Sequence, residues 1–115
     1  MVNSKYQAVQ CSKGREWLLR ITTGNDVYES IQQFAKDNQI RFAQVHTAFM
    51  GGFEPARMMI WTPDSQDPDN WHHETAMDVQ NLTMLLSMSG FIHLRKLDDG
   101  KEEPFPAIHY IVGAA

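Results

Sequence analysis

The chain has little cysteine, no long apolar run and no excess of positive charge, and each shortage removes a class of function. Cys11 is the one cysteine in 115 residues. No disulfide can close within the chain, and a reducing cytoplasm is the expected setting. No apolar stretch approaches the ~18 residues of a membrane span. The opening residues MVNSKYQAVQ lack the apolar core of a secretory signal, so no membrane association is expected. Ten basic against 14 acidic side chains leave a net charge of −4. Phosphate-backbone binding needs clustered Lys and Arg, so nucleic acid is disfavoured as a partner. Also absent are the HxH, HxxxH and HExxH spacings of metal sites and the GxGxxG or GK[ST] settings of phosphate loops.

What is present is an ordinary globular composition, 43% hydrophobic, in a length that holds one core; residues 1–115 are read as a single domain. The organising stretch is Leu82–Leu94, LTMLLSMSGFIHL, read as the central strand of a sheet. Leu86, Met88, Gly90, Ile92 and Leu94 alternate with Leu85, Ser87, Ser89, Phe91 and His93, which predicts one packed face and one smaller, more polar face. Gly90, with no side chain to pack, predicts a bulge, a bend or a close backbone approach.

Around that strand the chain reads in order. Tyr6–Gln10 is a weak strand candidate and Glu16–Ile21 (EWLLRI) a better one, with Trp17, Leu19 and Ile21 on one face. Asp26 and Glu29 form a capping box opening a helix over Asp26–Asn38, whose apolar stripe is Val27, Ile31, Phe34 and Ala35. Arg41–Phe49 alternates again, with Ala43, Val45, Thr47 and Phe49 opposite Phe42, Gln44, His46 and Ala48. Gly51-Gly52 marks a sharp bend. Ala56–Trp61 is a strand expected to form a hairpin with the one before it. A Pro/Asp-rich loop, Thr62–Trp71, then leads to a short strand, Thr75–Asn81. Asp98-Asp99-Gly100-Lys101 is a hairpin turn, and Ala107–Val112 returns as the last strand after a loop at Glu102–Pro106. The fold class is α+β: one mixed, mostly antiparallel, curved sheet with one principal helix.

Chemistry, if any, falls to the histidines. His46, Ser87, Ser89, His93 and His109 form the candidate pocket, and His93 and His109 are predicted to be near neighbours across a hairpin. Imidazoles from adjacent strands suit zinc with an open position, which makes His93 and His109 weak metal candidates. The commoner role for a strand histidine is a hydrogen-bonded, partly buried one, so no metal and no catalytic residue is assigned. His72 and His73 read as solvent-exposed. Asp64, Asp67 and Asp69 lack the Gly and distal Glu of a calcium loop and read as a solvated turn. Met50, Met58, Met59, Met77, Met84 and Met88 suit an adaptable core or interface.

The segments WLLRITTGNDVYESIQQFAKDNQI, AQVHTAFMGGFEPARMMIW and LLSMSGFIHL, followed by DDGK and IHYIV, occur in an order and spacing that resembles the plant and prokaryote conserved (PPC) domain. Relatives of that family share a fold with acetolactate decarboxylase. The resemblance runs from about Trp17 to Val112, its most specific pieces being TTGNDVYESIQQFAKDN and LLSMSG. It implies a mixed α/β sheet domain assembled as a trimer. In several prokaryotic members it also implies a histidine cluster suited to metal, with an HxH in the strand matching IHYIV. Here His109 takes the first position and Ile111 the second. Met84 stands where the family's Glu precedes LSxSG. A further glycine-rich, histidine-containing segment is expected after Ala115, so the chain reads as short at its C-terminus. The Arg-Gly-Arg-Pro arm of plant members has no counterpart.

The expected function is therefore an oligomeric, non-catalytic binding or regulatory module, most simply a homotrimer, with a small-molecule ligand possible. The alternatives are a metal-dependent lyase or hydrolase of a small molecule and, further off, a DNA-associated regulator.

Overall fold

A computed structural model of the chain describes residues 5–48 and 51–114. Helix α1 spans Val27–Asp37 and starts as its sequence predicts: the Asp26 carboxylate accepts the Glu29 backbone N–H at 2.8 Å. Its end is equally defined. Gln39 N–H reaches the Lys36 carbonyl and Ile40 N–H the Ala35 carbonyl, the two bonds of a Schellman motif. The left-handed position of that motif, usually Gly, is held by Gln39 at φ 55°. The turn delivers Ile40 into the core, beside Ala35.

Six strands follow: β1 Ala43–Ala48, β2 Gly52–Phe53, β3 Ala56–Pro63, β4 Trp71–Val79, β5 Thr83–Lys96 and β6 Glu102–Ala114. The long β5 is central. Along one edge it pairs with β1 and then β2, and along the other with β6 over its whole length; every pairing is antiparallel. The fold is the expected α+β, with one helix and a mostly antiparallel open sheet. Ile31 and Ala35 of α1, with Ile40, pack on Leu85, Met88 and Ile92 of β5; Val27, Phe34, Val45, Ile108 and Tyr110 close around them. Pro104 and Pro106 both fall inside β6, which the expected loop at Glu102–Pro106 did not foresee. The strand tolerates them because it lies at the sheet's edge, where a missing N–H breaks no ladder bond. The outward carbonyl of Pro104 accepts from the Gln32 amide at 2.8 Å, tying α1 to that edge.

Two bulges reset the alternation. Leu85 opposes Val112 and Ser87 opposes Ile111, so Leu86 is an extra residue in β5. Leu85 therefore faces the core, and Leu86, placed with Met88 by simple alternation, is exposed. In β1, Val45 opposes Gly90 and Ala48 opposes Met88, so His46 and Thr47 share one rung and Ala48 turns inward, not outward. Gly90 itself is a close approach: a Cβ there would meet the Ala107 carbonyl oxygen at 2.1 Å. Gly51, at φ 109°, makes the expected bend, and Gly52 runs against the Thr83 carbonyl.

Three expectations are corrected. Glu16–Ile21 is not a strand: EWLLRI finds no ladder partner among the described residues. Only its ends are anchored: Trp17 meets Phe34 edge-on at 5.5 Å and Ile21 touches the core, while Leu18 is wholly exposed. Tyr6–Gln10 reduces to one bridge residue, Gln7. Ala56–Trp61 does not pair with β1; as β3 it pairs with β4, from Ala56↔Val79 to Pro63↔Trp71, in a separate two-stranded ribbon. Phe49 and Met50 lie outside the described residues.

The chain is unusually open. Its radius of gyration is 16.7 Å, against about 13 Å for a compact domain of this length. Its accessible surface is 9646 Å², against about 6,400 Å² for a folded monomer of this mass. No described helix is long and apolar enough to cross a membrane.

Candidate functional site

One face of the β1–β5–β6 sheet packs on α1; among the described residues the other is bare except at Phe105, which meets Tyr28 and His73. Along β5 the bare face presents Met84, Leu86, Ser87, Ser89, Phe91 and His93, all exposed. On β6 it presents Phe105, Ala107, His109 and Ile111, and on β1 Gln44 and His46. Four of the five candidate pocket residues come together here. Ser89 lies directly opposite His109, Ser87 is one step along, and the bulged His46 rung flanks Ser89 from β1. His46, Ser89 and His109 therefore form a row across three strands.

His93 does not join them. It opposes Phe105, four residues along β5 from Ser89, or ~13 Å at the usual strand rise. Its imidazole sits 5.3 Å from the Phe105 ring, in a separate cluster with Tyr28, His73 and the Arg95 guanidinium. The predicted closeness of His93 and His109 is thus corrected by the register: they share a face but not a neighbourhood. Phe105 escaped sequence reasoning because its flanking prolines read as a loop.

The row offers two imidazoles and two hydroxyls, groups that can both donate and accept. Its frame is apolar: Met84, Leu86 and Ile111 at one end, Phe91 stacked with Phe42 at 5.8 Å on the other. None of these residues carries a carboxylate or ammonium group; Arg95 and Glu103, farther along the β5–β6 ladder, pair with each other. Such a surface can hold a flat, neutral or weakly polar partner. It is an open sheet, not a cleft, and no group of three metal-ligating side chains occurs among the described residues.

The other side chains singled out by sequence are engaged locally. Asp64 accepts from Gln66 N–H and Asp67 from Asp69 N–H, closing the β3–β4 loop. His72 pairs with Glu74 at 2.9 Å and Arg57 with Asp78 at 3.0 Å; that bond holds the Arg57 guanidinium above its ordinary pKa. The Tyr110 hydroxyl donates to the Arg57 carbonyl, linking β6 to the base of the ribbon, and burial pushes its pKa up.

The family model of the Plants and Prokaryotes Conserved (PCC) domain matches residues 8–115. The chain belongs to this family. The match takes in α1 and all six strands, as the resemblance of the central strand and helix implies. No match was found among curated proteins or among solved structures. In this PCC domain Met84 and Ile111 are both about two-thirds exposed on the bare face.

Proposed function

We propose that this PCC domain is a homo-oligomeric binding or regulatory module without catalytic activity, most simply a trimer. The observation that carries the reading is surface. The chain exposes about 3,200 Å² more than a compact monomer of its mass would, within the range that permanent assemblies bury. A sheet with large apolar side chains on both faces needs a second layer on each, and α1 supplies only one. The number three comes from the family resemblance. The His46–Ser87–Ser89–His109 row, at or beside the covered face, is the place for a small polar ligand.

Met84 and Ile111 put a thioether and an alkyl group where a metal-dependent lyase or hydrolase would use a carboxylate and an imidazole. The net charge of −4 disfavours DNA. Sedimentation equilibrium tests the reading: a mass near three times 13.2 kDa is expected. A concentration-independent mass of one chain overturns it. Elemental analysis supplies the second arm: one tightly held zinc per chain, lost on His109→Ala, would favour the metalloenzyme instead.

A further inference from the structure

Two indoles and a carboxylate meet at the loop end of the β3–β4 ribbon. Trp61 stands opposite His73 and Pro63 opposite Trp71, so the two tryptophans are diagonal neighbours on one face. With Asp69 of the connecting loop they line a shallow recess of about 420 Å³, a size that suits a small ligand. Trp61 is 57% and Trp71 46% exposed, although Trp is highly buried on average. Trp61 is tied to the main sheet: its ring meets His73 at 4.6 Å, and His73 meets Phe105 at 6.2 Å. The loop is closed by the Asp64 N–H on the Asn70 carbonyl at 2.8 Å and the Asn70 N–H on the Asp67 carbonyl at 3.0 Å. Within it the Asp64 and Asp67 carboxylates each accept a loop N–H, whereas that of Asp69 has no partner among the described residues. No Lys or Arg occurs between Arg57 and Arg95, and those two are paired with Asp78 and Glu103.

We propose that the Trp61–Asp69–Trp71 recess binds a small quaternary ammonium compound. A cation over an indole face is attracted by the ring's quadrupole, more strongly than over any other side-chain ring. The Asp69 carboxylate adds a full negative charge beside the two indoles. It is also the one acceptor side chain of the recess, since an indole N–H can only donate. A primary ammonium brings three donors and would leave some of them unmatched; a quaternary nitrogen brings none. An anion would meet Asp69 directly. A neutral molecule of the same shape keeps the apolar contact and gains nothing from the charge. Three side chains suffice to surround one alkylated nitrogen, not an extended polymer. The site lies on the ribbon, apart from the His46–Ser87–Ser89–His109 row, and does not depend on the number of copies in the assembly.

The test titrates the isotope-labelled full chain with choline and follows the indole N–H signals by nuclear magnetic resonance. Trp17→Phe, Trp61→Phe and Trp71→Phe assign them. The signals of Trp61 and Trp71 should move together and saturate, with a Kd on the order of 10 mM for two exposed cation–π contacts and one exposed ion pair. That of Trp17 should stay in place. Asp69→Asn, a surface change whose backbone bonds remain, should weaken binding by about two- to fivefold. The neutral analogue with carbon in place of the choline nitrogen should bind more weakly still. Phosphocholine, whose phosphate meets Asp69, should also bind more weakly than choline. No movement at about ten times the expected Kd overturns the proposal, as does equal movement of Trp17. Unchanged affinity in Asp69→Asn, or an equally tight neutral analogue, reduces the recess to a merely apolar contact and overturns it too. Tighter binding of phosphocholine than of choline overturns the free-cation assignment in favour of a lipid headgroup.

Discussion

Gly90, opposite Ile108 in the β5–β6 ladder, approaches Ala107 so closely that a Cβ on Gly90 would stand 2.1 Å from the Ala107 carbonyl oxygen and 2.8 Å from the Ile108 Cα. Both obstacles are backbone, so no rotamer change relieves them; the strands themselves must part. Gly90→Ala should cost at least about 2 kcal/mol, toward the upper part of the overpacking range. Urea titration at fixed protein concentration measures it, and a loss under ~0.5 kcal/mol would show that the strands separate freely there.

That glycine also shows how far the sequence could be read. Its position in a run of alternating residues foretold a close approach, a bend or a bulge, and the structure realises the first. The bulge falls four residues earlier, at Leu86, where Leu85 and Leu86 are identical in type and no pattern could say which faces in. The helix was legible to within a residue because Asp26, Glu29 and the Val27–Ile31–Phe34 stripe are local signals. EWLLRI has an equally good strand pattern and no strand, since a strand needs a ladder partner, which the segment alone does not reveal. The grouping of His46, Ser89 and His109 in one candidate pocket was legible. Its separation from His93 was not, because register across a hairpin rests on the exact length of a strand whose first residues, around Pro104 and Pro106, read as a loop.

Gln39 holds the left-handed position of the Schellman motif at φ 55°. A side chain there costs roughly 1–2 kcal/mol that glycine avoids. Glycine gives back some of this through the greater freedom of the unfolded chain, by about 0.5–1 kcal/mol. Gln39→Gly should therefore stabilise the protein by about 0.5–1 kcal/mol, seen as a higher urea midpoint with an unchanged slope. A lower midpoint would mean the Gln39 side chain contributes contacts that outweigh its backbone strain.

Burial raises the Tyr110 phenol above its ordinary 10.0, and Tyr28 is raised by burial too. A folded-state pKa above the unfolded one means that the neutral phenol is the form the fold prefers. Its contribution is complete below pH 10 and is lost as pH climbs from there through the folded value. Stability should thus fall in that alkaline window. Tyr110→Phe should cost about 1 kcal/mol at pH 7, through the lost hydrogen bond to the Arg57 carbonyl, yet lose less on going alkaline. Parallel stability curves for the two proteins from pH 7 to 11 would exclude Tyr110 as the titrating group.

Leu86 offers the sharpest test of the sheet. Deleting one residue from mid-strand normally turns every following side chain to the wrong face. Here the deletion removes the residue that the register already skips. With Leu86 gone, Thr83, Leu85, Met88 and Ile92 keep to the core by strict alternation, and Leu85↔Val112, Ser87↔Ile111 and Met88↔Tyr110 become consecutive rungs of an unbroken ladder. The shortened strand should fold and unfold cooperatively, at a modest loss. Deleting Ser89 instead removes a paired residue, sends Met88 and Ile92 to opposite faces, and should abolish the cooperative transition. Thermal unfolding followed by circular dichroism compares the two. If the Leu86 deletion fails to fold while the Ser89 deletion folds, β5 pairs with β6 in a different register.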